Sequence, residues 1–125
     1  MLLPWPERGA VAVRPPAAGP GYWAGAPCAV AGDGEVFLAY RLRRPVGRGR
    51  GYAVMVARSA DGERFETLLS IGKHELATES LERPALVRTP EGRWRTRAGR
   101  SSDSVASSCL PMLSSVSNLD RKSVV

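Results

Sequence analysis

Four runs of apolar and aromatic residues, each closed by turn-forming residues, fill the middle of this sequence and leave room for little but an antiparallel sheet. The runs are Cys28–Ala31, Glu35–Arg43, Tyr52–Ser59 and Arg64–Ile71. They are separated by Gly32-Asp33-Gly34, by the Arg/Gly/Pro loop Arg44–Gly51 and by Asp61-Gly62. Asp-Gly between two apolar runs predicts a hairpin, because glycine supplies the positive φ that a tight turn needs. Glu35–Arg43 alternates, with Val36, Leu38, Tyr40 and Leu42 on one face and Phe37 and Ala39 among the residues of the other. Both faces are therefore expected to be covered. Tyr52–Ala57 is apolar throughout, as in a strand buried on both sides. No segment up to Ile71 carries an apolar 3.6-residue period, so very little helix is expected.

The flanks differ from this centre. Residues 1–24 are rich in Pro and Gly and read as an extended segment, with Val11 and Val13 as a short edge strand. Tyr22 and Trp23 precede Gly25-Ala26-Pro27, either plugging the entry to the first strand or offering a platform for a sugar ring. Beyond a polar loop over Gly72–Ser80 the pattern restarts. Pro84-Ala85-Leu86-Val87 then reads as a strand, Thr89-Pro90-Glu91-Gly92 as a turn and Arg93-Trp94-Arg95 as the opening of the next strand. After Arg95 the alternation stops, and residues 96–125 form a Ser-rich tail expected to be disordered or a sequence artefact. Asp120–Val125 back-translates to the read-through of a common sequencing adapter, which would make Thr96–Asn118 a shifted frame or junction.

Composition sets outer limits. At 125 residues and 43% hydrophobic content the chain has material for one modest core. Its net charge of +6 comes almost wholly from arginine, with Lys73 and Lys122 the only lysines. Cys28 and Cys109 lie far apart with no CxxC, and His74 is the only histidine, so neither a zinc site nor any other metal or cofactor is expected. The N-terminus lacks the basic and apolar regions of a signal peptide, and no run approaches a membrane span. A cytoplasmic location without membrane association is therefore expected.

Four segments carry a likeness to a known family: Trp23-Ala-Gly-Ala-Pro27, Val36–Arg43, Arg58-Ser-Ala-Asp-Gly62 and Glu82-Arg-Pro-Ala-Leu86. Over about Gly21–Arg95 the chain resembles the opening of the five-bladed β-propeller glycosidase-like proteins, the group of arabinanases, β-xylosidases, fructan hydrolases and mannoside phosphorylases. The resemblance implies an all-β fold: a four-stranded antiparallel propeller blade plus the start of a second within residues 25–95, as an N-terminal fragment. It also implies a carbohydrate substrate, with glycosidic cleavage or transfer by carboxylates drawn from several blades. A lone fragment would be inactive.

The family's first-blade acid falls near Gly25-Ala26-Pro27, where this chain has none. Glu82 is the best-placed carboxylate and the candidate catalytic residue, with Glu79 a weaker version of it. Arg83 beside it is a candidate to pair with Glu82 or to grip a sugar hydroxyl or carboxylate, and Trp23 and Arg41 complete the substrate-binding candidates. Arg41 and Arg43 read as emerging beyond the covered part of their strand. Ser59-Ala60-Asp61-Gly62 is similar to the Asp-box turn of sialidase-type propellers, where the aspartate caps backbone N–H groups. Two alternatives stand beside a glycoside hydrolase-like fragment. One is a non-catalytic glycan-binding propeller, favoured by the missing acid. The other, less favoured, is a basic nucleic-acid-binding β domain that uses the Arg-Gly loop and Tyr52.

Overall fold

A computed structural model describes residue 7 and residues 9–100; the tail beyond, with Cys109 and the adapter-like end, lies outside the described residues. The described chain is all-β, with one 3₁₀ turn at Lys73–Leu76. Strands β1 (Trp23–Gly32), β2 (Glu35–Arg43), β3 (Gly51–Ser59) and β4 (Glu66–Gly72) form an antiparallel sheet in sequential order, and β5 (Leu81–Arg88) pairs with β6 (Trp94–Arg100) as a separate hairpin. Among the described residues no helix is long and apolar enough to cross a membrane.

The turns follow the local chemistry of their residues. Asp33 and Gly34 both take positive φ, 55° and 75°, as a two-residue hairpin between right-twisted strands requires. Asp61 Oδ1 accepts hydrogen bonds from the Glu63 N–H at 2.9 Å, the Arg64 N–H at 2.8 Å and the Ser59 hydroxyl at 2.9 Å. The Gly62 N–H donates to Ser59 Oγ at 2.8 Å. These bonds favour the ionised carboxylate, the two backbone donors most, and hold its pKa at about 2. The Thr89–Gly92 turn is closed by the Gly92 N–H on the Thr89 carbonyl at 2.9 Å and by the Arg93 N–H on Thr89 Oγ1 at 3.2 Å.

Three expectations are corrected. β1 begins at Trp23, not Cys28, because a bulge between Gly25 and Cys28 absorbs Ala26, at φ 52°, and Pro27, which has no N–H for the ladder. β6 runs on to Arg100: Thr96 and Ala98 are buried on the side facing the large sheet while Arg95 and Arg97 face out, so the strand continues past Arg95. Val11 and Val13 form no strand. Val11 is exposed, and Val13 packs as a plug against Leu38, Tyr40 and Ala57.

The β5–β6 hairpin covers one face of the large sheet. Phe37, Ala39 and Val56 meet Leu86 and Trp94, and the Phe37 and Trp94 ring centroids lie 4.2 Å apart at a tilt of 33°. Nearer Gly51, the residues Val54, Ile71 and Leu76 meet Leu81 and Ala98. Cys28 Sγ accepts the Leu86 N–H at 3.3 Å, and Arg88 pairs with Asp33 at 2.9 Å, so β5 is tied at both its middle and its end to the β1–β2 hairpin. At its start β5 presses on Gly51, whose N–H donates to Ser80 Oγ at 3.2 Å. A Cβ at Gly51 would overlap the Leu81 carbonyl and lie 2.8 Å from Ser80 Oγ.

Gly51→Ala is expected to cost about 1–3 kcal/mol by forcing β3 and β5 apart; chemical denaturation reads it, and an unchanged midpoint would contradict the seating of β5. An unfolded aspartate titrates at about 3.9, so the stability contributed by Asp61 is whole above that pH and is lost as pH falls towards 2. The gap in melting temperature between the natural chain and Asp61→Ala should be widest near neutral pH and narrow by pH 2. A gap independent of pH would show that the charge of the cap plays no part.

Candidate functional site

One end of the large sheet gathers the start of β1, the end of β2, the start of β3 and the start of β5. Trp23 lies opposite Arg43 in the β1–β2 ladder, and Gly25 lies opposite Arg41. Residues two apart on a strand share a face, so Arg41 and Arg43 stand on the same side as the Trp23 indole. The indole folds back over Gly25, where a Cβ would come within 2.6 Å of Cζ3. The Arg41 guanidinium carbon sits 4.7 Å from the indole centroid and that of Arg43 5.7 Å. Both distances fall within cation–π range.

Arg41 does not emerge from the sheet as its place near the strand end suggested; it is buried, at 8% exposure. Hairpin β5–β6 closes over it, and its Nη1 donates to the Leu81 carbonyl at 3.1 Å and to Glu82 Oε2 in a short ion pair. The other Glu82 oxygen accepts from the Ser80 hydroxyl at 3.1 Å. Arg41 Nε is buried without a hydrogen-bond partner. A buried guanidinium is tolerated only with a matching charge, so Glu82 and the Leu81 carbonyl are what keep Arg41 inside.

Of the four candidate residues, Trp23, Arg41 and Glu82 converge. Arg83 does not: it is exposed, and Glu82 pairs with Arg41 instead of its sequence neighbour. Glu79 is also exposed, and it touches the region through its carbonyl, which accepts from Lys73 Nζ at 3.4 Å. Ser80 was not singled out from sequence. Its spacing from Glu82 was the available signal, since Ser80 immediately precedes β5 and Glu82 is the second residue of that strand.

The Arg44–Gly51 loop borders the same end. The Arg44 N–H donates to the Arg50 carbonyl at 2.7 Å, and the Arg44 guanidinium stacks over Tyr52 at 3.9 Å. One stacking group proposed for nucleic acid is therefore occupied by an arginine of its own loop. Among the described residues no group of three or more His, Cys, Asp or Glu is placed to hold a metal ion.

Chemically the cluster presents an aromatic surface flanked by cations, with one carboxylate engaged at both oxygens. Searches against protein-family models, curated proteins and solved structures return no match for this chain.

Proposed function

We propose that this chain supplies one blade and the first two strands of the next to a carbohydrate-binding five-bladed propeller of the glycosidase-like kind. The Trp23 end of the sheet would face the sugar. The observation that carries the reading is the convergence of Trp23, Arg41 and Glu82, remote in sequence, at one end of a four-stranded meander. The face-to-face stacking of the β5–β6 hairpin on the Phe37 face supports it, because successive blades of a propeller stack in that way.

Within this reading the segment binds and does not cleave. Glycoside hydrolysis takes two carboxylates flanking the scissile bond, one of them free to donate a proton. Glu82 has one oxygen on Arg41 and the other on Ser80, and the blade position near Ala26 holds no acid. Glu82 then serves to hold Arg41 beneath the indole, and any hydrolytic activity of a larger protein would draw its acid and base from elsewhere.

Titration of the 125-residue chain with a panel of oligosaccharides tests this. Binding without release of reducing ends is expected, with Trp23→Ala weakening it roughly tenfold or more, on the order of one aromatic stacking contact. Failure to bind any member of the panel would remove the reading. Glu82→Gln is expected to lower the melting temperature, since it strips a buried guanidinium of its counter-charge. If it instead abolished reducing-end release by a longer protein containing this segment while leaving the melting temperature unchanged, Glu82 would be catalytic.

A further inference from the structure

The two guanidinium charges over the Trp23 indole are matched differently. Arg41 is buried and neutralised by Glu82. Arg43 is half-buried on the same indole, and its side chain has neither a hydrogen bond nor an ion pair among the described residues. Its neighbours along the chain are Arg44, Arg48 and Arg50, in a loop with no acidic residue. The carboxylate nearest in the cluster, Glu82, already has both oxygens engaged. Among the described residues the indole thus carries one guanidinium without a counter-charge.

Resting on the carbohydrate reading above, we infer that the ligand at this end is an acidic sugar, a chain of hexuronate residues. One ring would stack on Trp23 and its carboxylate would meet Arg43. A guanidinium offers parallel N–H donors that match a carboxylate in a bidentate pair, and such charge-assisted bonds are about twice as strong as neutral ones. A neutral sugar would leave Arg43 with solvent alone and gain only the stacking. A phosphodiester strand is the less fitting anion, because single-stranded nucleic acids are held on successive aromatic residues and Tyr52, the aromatic that follows the Arg-Gly loop, is stacked by Arg44.

The test is calorimetric titration of the full chain with tetramers of galacturonate, glucuronate, mannuronate and guluronate, each beside its methyl ester. The ester keeps the ring and removes the charge. At least one acid form is expected to bind roughly tenfold to a hundredfold more tightly than its ester, the range of one charged hydrogen-bonded contact. Arg43→Gln should abolish that difference, bringing acid and ester to the same affinity. Arg43→Lys should restore only part of it, because a point charge lacks the bidentate geometry. Equal binding of acid and ester would overturn the inference and leave the carbohydrate reading standing. Binding of neither, or of an RNA oligomer alone with a steep loss in salt, would overturn both.

Discussion

A sheet apolar on both faces cannot stand in water by itself, and covering its Phe37–Ala39–Val56 face with the β5–β6 hairpin is the contact on which the rest of the structure depends. Phe37 and Trp94 supply the largest share of that cover, with their rings 4.2 Å apart and both nearly inaccessible. Two aromatic side chains in a tilted contact gain both buried area and a quadrupole term. At the other end of the interface Leu81 is fully buried against Val54 and Ile71. Between these two anchors β5 has no freedom to slide. Gly51 removes the one side chain that would keep its start away.

That docking also creates the candidate site. Without β5, Arg41 would be an ordinary strand-end arginine in solvent. With β5 in place its guanidinium lies under the Leu81 carbonyl and against Glu82, forty-odd residues away in sequence. Burial of an arginine costs several kcal/mol unless a counter-charge accompanies it, so the position of Glu82 at the edge of β5 and the depth of Arg41 are mutually dependent. Trp23 reaches the same cluster because a bulge at Ala26-Pro27 lets the chain join the sheet early, and because Gly25 leaves room for the indole.

What the sequence made legible was whatever short-range chemistry decides. The alternation of Glu35–Arg43 and the uninterrupted apolar run of Tyr52–Ala57 located β2 and β3. The Asp33-Gly34, Asp61-Gly62 and Thr89–Gly92 segments located their turns, and the capping role of Asp61 was what the likeness of its turn to an Asp-box implies. Edges were less legible. Gly25-Ala26-Pro27 has the composition of a linker, and only pairing with β2 makes it a bulged strand. Thr96 and Ala98 are too small to signal a buried face, and only packing of the hairpin against the large sheet makes them one. For the site, the propeller likeness and strand position made Trp23, Arg41, Glu82 and Arg83 legible as candidates, of which the first three lie together. The partner of Glu82 was not, because successive residues of a strand diverge and the neighbour in sequence is seldom the neighbour in space.

The two ends of the large sheet therefore differ in kind. At the end bearing Asp33-Gly34 and Asp61-Gly62, the Asp61 turn is closed by bonds between residues two or three apart, and the Arg88–Asp33 pair adds a tie to β5. The end bearing Trp23 is built from contacts between β1, β2 and β5 that exist only once the hairpin has docked. A ligand held by Trp23 and Arg43 would touch residues whose neighbour Arg41 is fixed by β5, and so it would favour the docked arrangement over any in which the hairpin has lifted. By linkage the docked hairpin favours the ligand to the same degree. The indole, the buried arginine and the first residues of β5 behave in this respect as one unit, and the same ion pair that completes the fold sets the charge that the surface presents.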